Sequence, residues 1–422
     1  MSMNSFKLLR LRRQSVSPSE ISIPSHFLCP ISLDLMKDPV ILPTGITYDR
    51  RSIETWLEAG NPICPVTKQV LLHGVEADLI PNHSIRRMIQ DWCVAHRSLG
   101  VDRIPTPKIP ITSLQVKETL SDISTACRRG DRSQCAEHVA KLASWSAESE
   151  RNRRTISSNG AGRALASTFR DIPSEQLLSS LAGILPLSRD AQKELSSPAS
   201  LDSIVSIMRN GSLSGRLHAV VLVNELAAAD AVEHTTIAGT EGMVEALTML
   251  VKDPISPRAT KASLVTAYRL SSADDKAASR FAELGIVPAL IEMLVDTDQS
   301  MCEKGLAVLD VVLSSEAGRE AAAGHALTVP VLAKKMFRVS DLATGFAVSA
   351  LWKLCRNQEK GKKASEEALQ VGIFQKLLLL LQVGCGEKTK KKAGKMLRRL
   401  NGLKGKVECI DSVDFRGLKR PF

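Results

Sequence analysis

Phe27-Leu28-Cys29-Pro30-Ile31-Ser32 opens, and Leu79-Ile80-Pro81-Asn82 closes, the stretch that decides how this chain is read. Between them the pairs Cys29-Pro30 and Cys64-Pro65 give the outline of a two-site zinc module, with almost none of its ligands. Each structural zinc takes four Cys or His donors in a tetrahedron, so two sites need about eight. From His26 to Cys93 the chain offers His26, Cys29, Cys64, His73, His83 and Cys93, and no Cys-x-x-Cys pair. A fold with this outline must therefore be held by packing and polar contacts; the reading calls for no metal and no cofactor.

The intervening residues read as a small α+β unit. Val40-Ile41-Leu42, Pro43-Thr44-Gly45 and Ile46-Thr47-Tyr48 predict strand, turn and strand, with Gly at a permissive turn position. Asp49 is placed to N-cap a helix whose apolar face is Ile53, Trp56 and Leu57. Gly60 stands where a left-handed residue would stop it. Asn82 is a second N-cap, ahead of Ile85, Met88, Ile89 and Trp92 on one face. Asp38, Asp49, Arg50 and Glu54 are candidates for the charged contacts that stand in for metal, the alternative being a solvated helix start.

Beyond residue 97 the character changes. Arg103-Ile-Pro-Thr-Pro-Lys-Ile-Pro110 reads as an extended spacer. After it, Gly242-Met-Val-Glu-Ala-Leu247 recurs as Gly285-Ile-Val-Pro-Ala-Leu290, and more loosely as Leu327-Thr-Val-Pro-Val-Leu332 and Gly372-Ile-Phe-Gln-Lys-Leu377. Gly160-Ala-Gly-Arg-Ala-Leu165 is an earlier copy, and a weak one ends at Ile204. The marker positions lie 39, 43, 43, 42 and 45 residues apart, the period of HEAT or armadillo units. Aliphatic helices ending near Leu226, Leu270, Leu313, Leu354 and Leu400 give the same register. Such seams bury poorly alone and must stack, so a right-handed α-solenoid with a long concave surface is expected. The divisions drawn are a basic arm over 1–20, the α+β unit over 21–97, a Pro-rich linker over 98–115, about six repeats over 116–405, and a tail over 406–422.

Residues 24–92 resemble a U-box, the zinc-free relative of the RING domain that docks E2 enzymes in ubiquitin ligases. The resemblance is carried by Ile23-Pro24, Cys29-Pro30-Ile31-Ser32-Leu33-Asp34-Leu35-Met36, Asp38-Pro39-Val40 and Thr44-Gly45-Ile46-Thr47-Tyr48-Asp49-Arg50. It continues through Ile53-Glu54-Thr55-Trp56-Leu57, Cys64-Pro65-Val66-Thr67 and Leu79-Ile80-Pro81-Asn82. A following repeat array is typical of plant U-box/armadillo ligases, and the likeness favours armadillo over HEAT because Gly-Ile-Val-Pro-Ala-Leu marks the start of the last armadillo helix.

The resemblance implies that Ile31 and Leu33 from a first loop, Trp56 from the helix, and Cys64, Pro65 and Val66 from a second loop receive the E2; Trp56 and Val66 also read as core. It implies a ligase that positions E2~ubiquitin for attack by a substrate lysine, with no covalent intermediate of its own. Lys68 takes the place where many relatives carry a linchpin Arg, keeping the charge but losing the planar fork. No Cys/His pair at catalytic spacing is evident, which argues against a thioester-forming ligase and makes Cys64 a structural loop residue. Asn224 sits where armadillo repeats carry a peptide-clamping Asn, with Tyr268, Val311, Trp352 and Arg398 in the other repeats, so an importin-like ladder is missing. Asn224 and Trp352 are the groove candidates. Other readings are a non-catalytic adaptor or scaffold with a lapsed U-box, and a zinc-dependent RING variant, which predicts unfolding by chelator. Dimerisation through the U-box occurs in some relatives and is left open; stress or defence signalling is a family-level association.

Composition narrows the setting. Aromatic residues are 4% of the chain, which suits helix-on-helix packing with aliphatic seams. Nine scattered cysteines fit a reducing compartment better than a disulfide framework. No apolar run approaches the ~20 residues of a membrane span, and the 6–13 segment is too short in apolar content for a signal peptide. A cytoplasmic protein, with nuclear import open to it, is expected. Much of the +11 net charge is read into the 7–13 arm and the cluster from Lys388 to Arg399, as a wet helix face or a site for an acidic partner. DNA and RNA are not expected, because no stacking aromatics interleave the basic residues.

Overall fold

The computed structural model describes residues 22–71, 79–105, 110–228, 231–356 and 361–403. The arm over 1–20, the tail over 406–422 and His73 lie outside the described residues. The chain divides into two units, Met1–Ile109 and Pro110–Phe422.

In the first unit, β1 (Pro39–Ile41) and β2 (Thr47–Asp49) pair antiparallel with Val40 opposite Tyr48. Gly45 makes the turn at φ +82° and donates its N–H to Leu42. A third strand, β3 (Ile80–Pro81), pairs with the other edge of β1, which the sequence pattern did not reveal. Helix α1 (Arg50–Glu58) follows β2, and α2 (His83–Ala95) follows β3. Val40, Tyr48, Ile53, Cys64, Ile89 and Cys93 are fully buried between sheet, helices and loops.

Two helix expectations need correction. Asp49 precedes α1, yet its side chain makes no cap bond; it accepts instead from the backbone N–H groups of Lys37 (2.8 Å) and Asp38 (2.9 Å). Asn82 does cap α2, through Ile85 N–H at 3.1 Å, but Met88 is 48% exposed and the buried positions are Arg86, Ile89 and Cys93. The helix turns Arg86 inward because a carboxylate awaits it there. The spacer reading of 98–115 also changes: Ile104 is buried in the first unit's core and Val101 packs on it. In the second unit, Ile111 N–H donates to Asn152, and Thr112 with Gln115 forms a capping box.

The second unit starts with the pair α3 (Ser113–Arg128) and α4 (Arg132–Glu148). Six triplets follow among the described residues. They are α5 (Glu150–Ser158), α6 (Ala161–Asp171) and α7 (Glu175–Gly183); α8 (Arg189–Leu195), α9 (Pro198–Asn210) and α10 (Leu213–Leu226); α11 (Ala231–Gly239), α12 (Met243–Lys252) and α13 (Pro257–Ala273). The last three are α14 (Asp275–Glu283), α15 (Ile286–Val295) and α16 (Gln299–Val312); α17 (Glu316–Gly324), α18 (Thr328–Lys335) and α19 (Asp341–Cys355); α20 (Gly361–Gln370), α21 (Ile373–Val383) and α22 (Glu387–Asn401).

The marker residues Leu165, Ile204, Leu247, Leu290, Leu332 and Leu377 all lie on the middle helices and are fully buried. The Gly-marked helix is thus the middle one of each triplet, not the last. Gly160, Gly242, Gly285 and Gly372 sit at φ between 77° and 80°, turning the chain sharply from short to middle helix. Leu327 makes the same connection before α18 with φ −87°, which explains that copy's divergence. Each third helix packs on the next, from α4 and α7 through α10, α13, α16 and α19 to α22. Tyr268 of α13 and Phe346 of α19 meet edge to face, centroids 6.5 Å apart, reaching over α16. The third helices therefore form the inner side of the array.

Candidate functional site

The two Cys-Pro loops of the first unit are copies of one backbone form. Leu33 N–H donates to Cys29 O (2.8 Å), and Lys68 N–H to Cys64 O (2.9 Å). Cys29 N–H reaches Asp34 O and Cys64 N–H reaches Gln69 O, both at 2.9 Å. Bridges Leu28 to Leu35 and Ile63 to Val70 close the loops. In each, the hydroxyl of the fourth residue, Ser32 or Thr67, accepts from the backbone two residues on. The fifth residue is left-handed in both: Leu33 at φ 59° and Lys68 at φ 61°. Few non-glycine side chains adopt that conformation, and a branched apolar one seldom does.

Where a metalloprotein would have metal, each loop wraps its own sulfur. Cys29 Sγ accepts from Asp49 N–H at 3.3 Å. Cys64 Sγ is contacted by the Tyr48 hydroxyl (3.1 Å), the Thr44 hydroxyl (3.4 Å) and Thr67 N–H (3.5 Å). Burial alone would push the Cys64 thiol up; the hydrogen bonds from Thr44, Thr67 and Tyr48 outweigh it and bring it down to about 6. Burial and the bond with Cys64 push Tyr48 up in turn. Among the described residues no group of three or more His, Cys, Asp or Glu is arranged to hold a metal ion.

That sulfur makes stability depend on pH. The unfolded thiol ionises near 9 and the folded one at about 6, so the unfolded chain binds more protons between these values. The contribution is complete above about pH 9, shrinks as pH falls, and is gone below about 6. The urea midpoint of the first unit is expected to climb from pH 6 to 9, and Cys64→Ser to flatten the climb; an unchanged slope in the variant rejects the assignment.

A second polar hub centres on Asp38. Asp38 accepts from Arg50 Nε at 2.7 Å and pairs with Arg86 Nη2, joining the start of α1 to the first turn of α2. Arg50 N–H donates to Asp38 O, and Asn82 N–H to Pro39 O. Asn82 Nδ2 donates to Thr47 at 3.0 Å, and Glu54 lies 3.8 Å from Arg50 at the rim. The expected polar residues Asp38, Asp49, Arg50, Glu54 and Asn82 are thus gathered around β1. Arg86 was missed; its signal was a cation within an otherwise apolar stripe, four residues after the Asn82 cap.

Of the docking candidates, Leu33 is 72% and Val66 51% exposed, while Ile31, Pro65 and Trp56 are half-buried. Trp56 Nε1 donates to Ile63 O at 2.9 Å, pinning the second loop to α1. Cys64 is fully buried; as a contact for a partner it is ruled out, and it acts as the loop's internal anchor. Lys68 is exposed at the second loop's left-handed position. In the second unit, Asn224 on α10 and Trp352 on α19 are both half-buried on the inner layer. Arg269 Nη1 already engages the Asn224 carbonyl (2.9 Å) and amide oxygen (3.2 Å).

A small cross-braced module with hydrogen-bonded loop sulfurs, joined to a stacked three-helix repeat array, is the class that this fold and site define. The sequence matches the family described as U-box domain over residues 23–98, and the family described as plant U-box protein ARM repeat region over residues 115–419. It is 40% identical to U-box domain-containing protein 21 of Arabidopsis thaliana over 419 residues, 97% of this chain and 95% of that one. Identity to the E3 ubiquitin-protein ligase PUB23 of the same plant is 35% over 397 residues, 91% and 94% of the two chains. Among solved structures, an engineered protein aligns with TM-score 0.53 at 17% identity, over 68% of this chain and 71% of its own, a likeness of fold alone. The chain belongs to the plant U-box proteins with an armadillo repeat region.

Proposed function

We propose that this U-box E3 ubiquitin ligase receives a ubiquitin-charged E2 on Ile31, Leu33, Pro65, Val66 and the edge of Trp56, while the armadillo array holds the protein substrate. The observation that carries the reading is the pair of equivalent loops, each presenting an apolar third residue from a backbone locked by its own sulfur. Exposed apolar side chains gathered in one patch mark a docking surface. Both sulfurs of the loops are buried, so the route is direct transfer: the E2 thioester is held still while a substrate lysine attacks it.

In a self-ubiquitination assay with purified E1 and E2, Ile31→Ala or Val66→Ala is expected to lower the rate about tenfold or more with an unchanged circular dichroism spectrum. Equal rates would remove the docking assignment. Lys68, exposed at the second loop's fifth position, supplies charge toward the E2–ubiquitin junction. Lys68→Arg is expected to raise discharge of E2~ubiquitin onto free lysine about two- to fivefold; no discharge by the wild type would favour the adaptor reading. A cytoplasmic setting with nuclear import, and a client in stress or defence signalling, accompany this reading on family likeness alone.

A further inference from the structure

The positive charge is not spread along the array. Residues 328–401, from the start of α18 to the end of α22, carry sixteen Lys and Arg against five Asp and Glu, an excess equal to the whole chain's formal +11. Everything else balances. On the inner layer the signs change accordingly. Helices α13 and α16 carry half-buried Lys261, Arg269, Glu303, Lys304 and Asp310, a mixed set. Helices α19 and α22 carry the half-buried Lys353 and Lys392, with the exposed Arg356 at the C-cap of α19, beside the half-buried rings of Phe346 and Trp352.

The way these cations are answered differs from one repeat to the next. Lys353, only 16% exposed, meets the Asp310 carboxylate of the preceding third helix at 2.9 Å. One repeat later Lys392 reaches back to the Ser349 hydroxyl at 2.5 Å, a neutral partner. Burial pushes the Lys353 ammonium down; Asp310 opposes this, and Lys392 and Arg356 add to it. Half-buried Lys353 and Lys392 and the exposed Arg356 thus act on one another with Asp310 as the carboxylate that answers them, and because like charges repel, a further carboxylate there would be drawn in.

We propose that the α19–α22 end of the inner groove binds an extended acidic segment of the substrate protein, its carboxylates on Lys353, Arg356 and Lys392 and an apolar side chain on Trp352. The assignment rests on the array being the substrate-holding arm of the ligase.

The test uses the full chain and a fluorescein-labelled oligoglutamate peptide with one central leucine, read by anisotropy. Saturable binding that weakens as salt rises is expected. Arg356→Glu with Lys392→Glu should lower affinity about tenfold or more, and the paired Gln substitutions less. Lys391→Glu with Arg398→Glu, at exposed positions of α22, should change it by less than about threefold. Absent binding, equal loss in both Glu pairs, or tighter binding of phosphatidylserine vesicles or oligothymidine overturns the proposal. Self-ubiquitination separates the two readings: the Arg356/Lys392 variant should keep it, whereas Ile31→Ala should lose it and still bind the peptide. A wild type that binds peptide but transfers no ubiquitin would sink the ligase reading alone.

Discussion

Asp38→Ala is expected to destabilise the U-box by about 3 kcal/mol, more than any other single polar change in that unit. The carboxylate sits between two guanidinium groups, and Arg50, Arg86 and Asp38 are 14%, 11% and 23% exposed along their side chains. Removing it leaves two largely buried cations facing each other, with Glu54, 3.8 Å from Arg50, the carboxylate left beside them, which costs more than the pair of bonds is worth. A neutral Asn keeps the hydrogen-bond geometry but not the charge, and should lie between. Hydrogen exchange on the full chain checks this. Amides of Val40, Ile41 and Tyr48 should lose protection, while those of the α12 and α15 cores, in the other unit, should not. Equal protection in the variant would mean that packing alone holds the cross-brace. Because carboxylate and guanidinium do this holding, a chelator should leave wild-type protection unchanged, opposite to what a zinc-dependent variant of the fold would show.

What could be read in the sequence follows from how local each interaction is. The hairpin was legible because Val40-Ile41-Leu42 and Ile46-Thr47-Tyr48 flank a turn glycine, and the repeat array because Gly242, Gly285 and Gly372 recur ahead of the same aliphatic seam. The polar residues around β1 were legible as a set, but not their pairings. Asp49 has a free choice between its own helix and the backbone of Lys37 and Asp38, and only the tertiary fold decides it. Arg86 reads as solvated until Asp38 is placed beside it. Ile80–Pro81 is too short for a periodic signal, and its pairing to β1 depends on where the chain returns. The likeness of Cys29-Pro-Ile-Ser-Leu-Asp34 to Cys64-Pro-Val-Thr-Lys-Gln69 is plain at an offset of 35 residues. That both fifth residues are left-handed is not, since leucine disfavours that state.

Leu33→Gly is expected to separate stability from activity in opposite directions. A leucine held at φ 59° stores about 1 kcal/mol of backbone strain, and at 72% exposure its side chain returns little by burial. Glycine removes the strain, although its more flexible unfolded chain offsets part of the gain. Net stability should stay level or rise by up to about 1 kcal/mol. If Leu33 is retained for contact with the E2, the same change strips the first loop of its most exposed apolar side chain, and discharge of E2~ubiquitin onto lysine should fall about tenfold or more. Lys68→Gly makes the matched control at φ 61° in the second loop: it should give the same small stability change with a smaller loss of transfer, because a charge there assists a complex that apolar contacts already hold. Urea titration paired with single-turnover discharge measures both quantities. A variant that transfers ubiquitin at the wild-type rate, or one that unfolds at lower urea, would show that Leu33 serves the loop's own fold and not its partner.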